Sequence, residues 1–581
     1  MLSRFRKSWL VILKIWFFCS FVTLLFFELT TPAFINEYDL RPNRLFIEYL
    51  IYPKEVLSML LQGHLYEMIS TLVSLIVGGL FGWYITGKIN YNSEVKNITA
   101  FPVFTAFLIL LLSFFVCARG TLSHRPINPS LVFFSTDALV NSLTLNSAYS
   151  VAFAFKQLSN EVSASKVYGQ LAEKDILRIV RQESELPKAA YISEELPTLA
   201  IREPFNKGHN KNLVIILEES LGAQFVGELG GLPLTPELDK LIKEHWSLDK
   251  LYATGTRSVR GIEAVITGFT PTPARSVVKL DKSQRDFFTI ASALEKHHYV
   301  TQFVYGGESH FDNMKSFFLG NGFNSIIDFD DIESPEYVAS WGASDEDLFN
   351  QANTELKKLN KAGKPFFSLI FSSSNHDPFD IPEGKVEAIS YTIKQKQLYS
   401  TREQSRHKAI QYADYALGKF INQAKQEAYW HNTIFLVVAD HDARVYGSDL
   451  VPIKNFHVPA VIINSGFSNE RDDRVVSQID LPPTLLSLIG VNEPTPLIGF
   501  DLTNTYNNER AMMQFSNNFA YMENNHVAIL QPHKPISYFD YNFSTKSLSD
   551  AEAQRGLGEK TLAHALFGSL AYSKQLYKLA D

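Results

Sequence analysis

The hydrophobic pattern divides the chain into an apolar N-terminal part and a longer part built of short alternating elements. Residues 68–85 and 101–118 each form a run of 18 residues without a charge, which is about the length that spans the core of a bilayer. Residues 9–27 form a third run, interrupted only by Lys14. A cleaved signal peptide is the less favoured alternative, because the residues that follow this run (FFELTTPAF) offer a poor small-residue cleavage site. We therefore predict a transmembrane region over residues 1–120 with three spans.

The polar residues around these runs predict their orientation. Basic residues precede the first run and predict a cytoplasmic N-terminus, which places everything after residue 118 outside the cytoplasm. The amphipathic segment 44–62 is interrupted by Glu48, Lys54 and Glu55 and contains Pro53, so we interpret it as a pair of interfacial helices. The expected arrangement is a multi-pass membrane protein with an extracytoplasmic domain.

Beyond the spans, the pattern predicts an α/β domain. We interpret residues 121–205 as a juxtamembrane connector with a helix near 173–184. Apolar runs of strand length then alternate with helical patterns, as expected of a largely parallel sheet flanked by helices. The predicted strands are 213–218, 300–305, 366–371 and 433–439, and the predicted helices are 404–426 and 480–489. This domain is predicted over residues 206–505, and residues 506–581 form a small C-terminal subdomain of short strands and a last helix.

Composition excludes several kinds of site. Both cysteines, Cys19 and Cys117, lie in predicted spans, so the exported part has no disulfide framework, thiol nucleophile or thiolate metal site. The net charge of −7 is mild and no basic tract is present, so no nucleic-acid partner is expected.

Polar clusters follow three of the predicted strands. Glu218 and Glu219 follow the first strand, Asp440 and His441 follow another, and residues 372–379 (SSSNHDPF) follow a third. Active residues gather at such strand ends, and carboxylates with a histidine are suitable ligands for a hard cation. At this point each residue could equally be a cap or a surface residue.

Ser258 is the candidate nucleophile. It lies between Arg257 and Arg260 where an apolar helical pattern begins. A helix N-terminus and a metal ion both lower the pKa of a hydroxyl. A simple N-cap serine would occupy the same place, so position alone leaves both readings open.

Four separated stretches resemble the alkaline phosphatase/sulfatase superfamily, in the same order along the chain. Residues 212–222 (NLVIILEESLG) resemble its opening strand, and residues 258–268 (SVRGIEAVITG) match the sulfatase signature in length, with Ser258 at the nucleophile position. Residues 439–447 (ADHDARVYG) resemble its later metal-binding motif, and residues 477–490 (SQIDLPPTLLSLIG) its late helix. The resemblance implies a sulfatase-like fold.

The resemblance is strongest to membrane-anchored phosphoglycerol transferases, the lipoteichoic acid synthases and the periplasmic-glucan enzymes. A formylglycine sulfatase is disfavoured, because the proline and arginine that formylglycine formation requires do not follow Ser258. The group implies one divalent metal, manganese first and magnesium or zinc as alternatives. The implied ligands are Glu219, Ser258, Asp440 and His441, with Glu218 as the less favoured carboxylate.

The group also implies further site residues. His376 matches its active-site histidine, and Arg257 is a candidate for binding phosphate, whereas Arg260 is equally well explained as structural. His310, Phe311 and Asp312 are candidates for substrate contact, and His457 is a candidate with a core role as the alternative. The chain departs from the synthases in having Arg257-Ser258 where they have Lys-Thr, three predicted spans instead of five, and no evident match to their pocket tryptophan and arginine.

The resemblance therefore implies an enzyme of the bacterial inner (cytoplasmic) membrane, with a periplasmic catalytic domain, that transfers a phosphoglycerol-type head group. The donor is a membrane phospholipid, the acceptor an extracytoplasmic glycan or polymer, and the intermediate a phosphorylated Ser258. The alternatives are a phosphoethanolamine transferase or a phosphodiesterase of the same fold, and a non-enzymatic membrane sensor with a sulfatase-like domain.

Overall fold

The structure, a computed structural model, comprises two compact units, Met1–Asn160 and Glu161–Asp581. It describes residues 2–38, 41–43, 46–47, 50, 61, 65–88, 100–121, 127–135, 137–158, 161–208, 210–387, 389–442 and 449–579. The boundary between the units lies inside the segment 121–205 that the sequence suggested as a connector.

The N-terminal unit is helical. Its helices are α1 (Leu2–Tyr38), α2 (Leu65–Lys88), α3 (Ala100–Arg119), α4 (Ala138–Ser142) and α5 (Ser147–Leu158). Among the described residues, Val11–Asn36 and Leu65–Lys88 are long and apolar enough to cross a membrane, and Phe104–Arg119 is a shorter apolar helix. The third span thus stays a prediction, and the predicted interfacial segment 44–62 lies almost entirely outside the described residues.

The second unit contains one large and two small sheets. Among the described residues, its α-helices are α6 (Ala164–Tyr168), α7 (Glu173–Glu183), α8 (Pro236–Glu244), α9 (Ser258–Thr267), α10 (Ile290–Glu295), α11 (Met314–Leu319), α12 (Asp345–Lys361), α13 (Ile393–Leu398), α14 (Thr401–Ala424), α15 (Leu481–Ile489) and α16 (Arg555–Lys574). The strands of the two sheets in its first part are β1 (Asn212–Glu218), β2 (Trp246–Tyr252), β3 (Val300–Tyr305), β4 (Ser325–Ile327), β5 (Val338–Ala339), β6 (Gly342–Ala343), β7 (Phe366–Phe371), β8 (Thr433–Ala439), β9 (His457–Val458), β10 (Ala460–Ile463) and β11 (Arg471–Ser477).

The large sheet has the order β11-β2-β10-β8-β1-β7-β3-β4, with β9 paired to β2. Strand β1 pairs in parallel with β7 and β8, and β10 runs antiparallel to both its neighbours. All seven residues of β1 are buried, as expected of a strand covered on both faces. The predicted mostly parallel sheet flanked by helices is confirmed, and β1, β3, β7 and β8 are the four predicted strands.

A five-stranded antiparallel sheet and the last helix form the C-terminal part. The strands are β12 (Arg510–Phe515), β13 (Asn518–Glu523), β14 (His526–Leu530), β15 (Ser537–Asn542) and β16 (Ser547–Asp550). Helix α16 packs on β13, β14 and α7. Lys560 of α16 bridges Glu183 of α7 at 3.0 Å and Glu523 of β13 at 2.9 Å, so the segment before the large sheet is fastened to the C-terminal part.

Candidate active site

A cavity of about 760 Å³ opens where β1 and β7 end, and its lining includes Glu219, Ser258, His376 and His441. Parallel strands of one sheet bring their carboxyl ends to one edge, which explains why residues distant in sequence meet there. A more open depression of about 510 Å³ lies at the opposite edge of the sheet, near Asn212 and Asn432. Among the described residues, the only group of three candidate metal ligands is at the first of these two places.

Glu219, Asp440 and His441 form that group. One ligand atom from each lies within 4.8 Å of the others, and all three residues are buried. Asp440 Oδ1 accepts hydrogen bonds from the backbone N–H groups of Ser220 (2.7 Å) and His441 (2.6 Å), whereas Asp440 Oδ2 is buried without a hydrogen-bond partner among the described residues. An oriented carboxylate with one unsatisfied oxygen fits a bound cation, because a buried polar atom normally has a partner.

Hydrogen bonds fix the histidine of this group. His441 Nδ1 lies 2.6 Å from the carbonyl oxygen of Asp442, so Nδ1 carries the proton and donates it. His441 Nε2 then has its lone pair available, and it lies 3.6 Å from Asp440 Oδ2. A backbone carbonyl that fixes the tautomer in this way is a common second partner of a metal-binding histidine.

Ser258 is the first residue of α9, and its hydroxyl faces the same group. Arg257 is the N-cap residue and makes no side-chain capping bond. Ser258 Oγ donates to Glu219 Oε2 at 3.0 Å and lies 3.4 Å from His441 Nε2. The simple N-cap interpretation of Ser258 is therefore wrong, because the hydroxyl points at the carboxylate and imidazole rather than at the first turn of its helix.

Burial and mutual repulsion shape the electrostatics of the group. Burial, followed by the charge of Asp440, raises the pKa of Glu219 to about 7. Burial also raises the pKa of Asp440 to about 7, and it lowers the pKa of His441. Burial thus disfavours the charged forms of all three side chains. A divalent cation bound between them would stabilise the two carboxylates in their ionised form and the imidazole in its neutral form.

Glu218 lies on the other side of the strand end. Its Oε2 accepts a hydrogen bond from Ser372 Oγ at 2.9 Å, and burial, followed by the charge of Asp345, raises its pKa well above the ordinary value. Glu218 is outside the group of candidate ligands, so the geometry agrees with the choice of Glu219 as the carboxylate.

His376 lies in the cavity beside an aromatic wall. Its ring centroid is 3.6 Å from that of Trp341, and its Nδ1 is 3.0 Å from the carbonyl oxygen of Asp377. Trp341 Nε1 donates to the same carbonyl oxygen at 2.7 Å, and Phe311 packs edge-on against the Trp341 ring at 5.7 Å. The charge of His376 opposes the burial-driven rise in the pKa of Glu219, so the imidazole lies close enough to the candidate ligands to interact with them electrostatically.

The cavity wall is basic. Arg257, Arg275, Lys279 and Arg406 all line it, and Lys279 is paired with Asp312. Arg260 also reaches the lining, but its guanidinium is engaged by Glu263 at 2.8 Å and by the carbonyl oxygens of Thr272 and Ala274. The structure thus supports the structural interpretation of Arg260, and because Lys279 is already paired, Arg257, Arg275 and Arg406 are the remaining cations of the wall.

The remaining predicted residues divide into two sets. Phe311 and Asp312 line the cavity, whereas His310, which is buried, does not. His457 also lies outside the lining, and its Nε2 contacts the carbonyl oxygen of Asp249 at 2.8 Å. Burial lowers the pKa of His457 to about 4, so the half-buried ring is neutral at physiological pH, which favours a structural role over contact with an anionic substrate.

Several residues of the site had no recognisable signal in the sequence. Ser220 adopts a left-handed conformation (φ 54°) and donates to Glu219 Oε1 at 2.6 Å. Asn375 Nδ2 donates to the carbonyl oxygens of Glu219 and Ser220, both at 3.1 Å. Trp341, Arg275 and Arg406 come from loops or helices whose approach to the strand ends no local pattern predicts. Ser220 and Asn375 carried only a hint, since they lie within the polar stretches EESLG and SSSNHDPF that follow predicted strands.

Comparison with known proteins places the chain among enzymes of one fold. The family model named Sulfatase matches residues 211–491. A crystal structure of a protein in the alkaline phosphatase superfamily from Vibrio parahaemolyticus is 49% identical, has a TM-score of 0.68 and covers 72% of this chain and 100% of that chain. The lipoteichoic acid synthase LtaP from Listeria monocytogenes has a TM-score of 0.58 at 20% identity and covers 69% of this chain and 98% of that one, which shows a shared fold.

Two curated relatives have names that describe an activity. The lipoteichoic acid synthase-like YvgJ of Bacillus subtilis is 26% identical over 307 residues, which are 49% of this chain and 48% of that protein. The phosphoglycerol transferase I of Xanthomonas campestris is 23% identical over 361 residues, which are 58% of this chain and 45% of that protein. The chain spans about half the length of the curated relatives it matches.

Proposed function

The chain belongs to the alkaline phosphatase superfamily through a sulfatase-family domain, and on this premise we propose that it is a metal-dependent phosphoglycerol transferase of the cell envelope. The donor is a membrane phospholipid such as phosphatidylglycerol, and the acceptor is a glycan or polymer outside the cytoplasm. Two helices that are long and apolar enough to cross a membrane, and relatives named phosphoglycerol transferase and lipoteichoic acid synthase, support this assignment.

One observation carries the proposal: the Ser258 hydroxyl points at the buried group of Glu219, Asp440 and His441, 3.0 Å from Glu219 Oε2. A serine that only stabilised the fold would not need buried carboxylates and an imidazole beside its hydroxyl. A nucleophile does, because a serine hydroxyl at its ordinary pKa is a weak nucleophile and must be activated.

The residues present fit one divalent cation, manganese in our proposal, held by Glu219, Asp440, His441 and the Ser258 oxygen. When bound, such a cation lowers the pKa of the serine hydroxyl and stabilises negative charge on phosphoryl oxygens. The unpartnered Asp440 Oδ2 and the fixed His441 tautomer are the evidence of fit.

The chain's own residues supply the transfer. The ionised Ser258 Oγ attacks the donor phosphorus, so that the Oγ–P bond forms and the bond from phosphorus to the diacylglycerol oxygen breaks. Protonated His376 gives its proton to the departing oxygen and afterwards takes the proton of the acceptor hydroxyl. The acceptor oxygen then attacks phosphorus, the Oγ–P bond breaks and Ser258 is regenerated. Arg257, next to the nucleophile, is placed to bind the phosphoryl oxygens.

Purified full-length protein in detergent or nanodiscs tests the proposal with fluorescent phosphatidylglycerol as donor. We expect manganese-dependent release of fluorescent diacylglycerol and transfer of the glycerol phosphate to a glucan acceptor. Release that persists undiminished in chelator-treated protein, or in Glu219→Ala and His441→Ala variants that stay folded, would contradict it. Release without transfer to any acceptor would indicate a phosphodiesterase.

A further inference from the structure

Gln478 lies in the stretch SQIDLPPTLLSLIG that resembles the late helix of the superfamily, and the proposed transfer leaves it without a role. Its side chain is fully buried and makes three hydrogen bonds. Oε1 accepts from the backbone N–H of Thr254 at 3.0 Å, and Nε2 donates to the carbonyl oxygens of Ala439 and Asp440, both at 2.9 Å. One amide therefore joins the end of β8 to the segment that follows β2.

Both ends of this connection lead to the candidate active site. Asp440 is one of the candidate metal ligands, and Thr254 lies in the segment that leads from β2 to Ser258 at the start of α9. Strands β2 and β8 are not neighbours in the sheet, because β10 lies between them. The hydrogen bonds of Gln478 thus join directly two parts of the site that the sheet joins only through a third strand.

Helix α9 also packs on the backbone of Asp440. A Cβ atom at Gly261 would lie only 2.4 Å from the carbonyl oxygen of Asp440, so α9 approaches this closely only because residue 261 has no side chain. The same carbonyl oxygen accepts the hydrogen bond from Gln478. The distance between the nucleophile helix and Asp440 is therefore set by two contacts, the packing of Gly261 and the hydrogen bonds of Gln478.

The segment that carries Gln478 is itself fixed. Asp480, in the same segment, accepts hydrogen bonds from the N–H groups of Ser477 (2.9 Å) and Phe500 (2.7 Å). All of these residues are buried. A side chain whose base is locked by packing and hydrogen bonds can hold its partners at a set distance.

The geometry assigns Gln478 the role of a positioning residue, which holds Asp440 and the segment carrying Ser258 at the separation that metal binding and attack on the donor require. This inference rests on the proposed function. Gln478 lies outside the cavity lining, so it acts only through the residues that it holds. A misplacement of about 1 Å can cost about a hundredfold in rate, and losing an outer partner of a metal ligand typically costs about ten- to a hundredfold in metal affinity or activity.

Matched variants of the full-length protein test this role. Gln478→Met keeps the size of the side chain and removes its three hydrogen bonds. Asn321→Leu is the control, because Asn321 is also buried and outside the cavity lining. Its amide accepts a hydrogen bond from the N–H of Phe287 (2.7 Å) and donates to the carbonyl oxygens of Ser283 (2.8 Å) and Phe317 (2.7 Å). Both variants lose the same kinds of hydrogen bond, and both should have a lower Tm.

Two measurements, made well below both melting temperatures, separate positioning from stability. Calorimetry gives the manganese affinity of chelator-treated protein without substrate, and diacylglycerol release at saturating manganese gives kcat and KM. We expect Gln478→Met to lose about tenfold or more in manganese affinity and about ten- to a hundredfold in kcat, with KM for the donor unchanged. Asn321→Leu should retain all three wild-type values. Gln478→Asn, whose amide is too short to reach both Thr254 and Asp440, replaces Gln478→Met if that variant does not fold.

Each pattern of results decides the question. A fall in affinity alone locates the displacement at Asp440, a fall in kcat alone locates it at Ser258, and either supports the positioning role. Wild-type affinity and kcat in a folded Gln478 variant, with or without a rise in KM, would overturn the inference and leave the proposed function intact, as would equal losses in Asn321→Leu.

Failure of the proposed function gives a different result. If the wild type binds manganese but releases no diacylglycerol, the proposed function is wrong and the manganese affinities of the variants alone decide the role of Gln478. A wild type that does neither would overturn the proposed function and the inference with it.

Discussion

At the scale of single residues, the structure explains why Ser258 lies between Arg257 and Arg260 at the N-terminus of α9. Its hydroxyl points away from the first turn and towards Glu219 and His441, at 3.0 Å and 3.4 Å. In the proposed transfer Arg257 binds the phosphate that Ser258 attacks, whereas Arg260 holds the helix to the neighbouring loop. The two arginines therefore do different work, which the sequence alone could not separate.

Replacing Ser258 separates catalysis from structure. Ser258→Ala removes the nucleophile, so turnover should fall on the order of 10⁴- to 10⁶-fold, while unfolding free energy falls by only about 1 kcal/mol, the size of one hydrogen bond. Ser258→Thr retains a hydroxyl and should retain part of the activity. Diacylglycerol release and thermal unfolding measure the two effects, and normal turnover in Ser258→Ala would shift the candidate nucleophile to Thr256.

The raised pKa values of Glu219 and Asp440, both about 7, predict a pH dependence of metal stabilisation. Raised carboxyl pKa values mean that, without metal, stability is highest below the ordinary carboxyl range near pH 4 and declines as pH rises through 7. A bound cation offsets this decline, and protons compete with it at low pH. The gain in Tm on adding manganese to chelator-treated protein should therefore be larger at pH 8 than at pH 5.5, on the order of a few degrees.

The control for this prediction is Glu219→Ala, which loses a ligand and should show a small gain at both pH values. An equal manganese gain at pH 5.5 and pH 8 in the wild type would show that these carboxylates do not bind the ion.

At the scale of elements, α9 and the loop after it form one clamp. The buried Glu263 accepts hydrogen bonds from Arg260 at 2.8 Å and from the backbone N–H of Val277 at 2.6 Å. Ser276 Oγ donates to the carbonyl oxygen of Val259 at 2.7 Å. The same loop carries Arg275 and Lys279 to the cavity, so the clamp couples the nucleophile helix to the cationic wall.

Breaking the clamp should weaken substrate binding as well as stability. Arg260→Met leaves Glu263 buried and unpaired, which costs about 3–5 kcal/mol, and it frees the loop, so KM for the donor should rise several-fold. Arg510→Met is the matched control, because Arg510 is buried, is paired with Asp480 at 3.0 Å and lies outside the cavity lining. It should lose stability with KM unchanged. Equal KM values in both variants would show that Arg260 acts on stability alone.

The elements that the sequence predicted best are those with the simplest patterns. The runs of β1, β3, β7 and β8 have the predicted bounds to within a residue, because strands buried on both faces are mostly apolar over their whole length. Glu219, Asp440 and His441 directly follow the ends of β1 and β8, which is why the sequence could identify them as candidate site residues. Trp341 and Arg406 could not be predicted, because their places depend on how a loop and a long helix fold back over the sheet. The left-handed turn at Ser220 likewise depends on tertiary contacts.

At the scale of the whole molecule, the apolar helices and the α/β domain are separate compact units. The proposed acceptor outside the cytoplasm requires the catalytic unit to lie on that side of the membrane, which three spans and a cytoplasmic N-terminus would achieve. A fluorescent protein that folds only in the cytoplasm should be bright when fused after Lys88 and dark when fused after Asp581. Fluorescence from the second fusion would mean an even number of spans, and hence a cytoplasmic domain.

The covalent step is the central claim for the molecule as a whole, because the proposed roles of the metal, His376 and Arg257 all concern the reaction at Ser258. Intact-mass and peptide mass spectrometry after brief incubation of the full-length protein with phosphatidylglycerol and manganese test it most directly. We predict an added glycerol phosphate on the peptide that contains Ser258, absent from Ser258→Ala and from chelator-treated protein. Diacylglycerol release with no adduct on that peptide, or an adduct that persists in Ser258→Ala, would contradict the account.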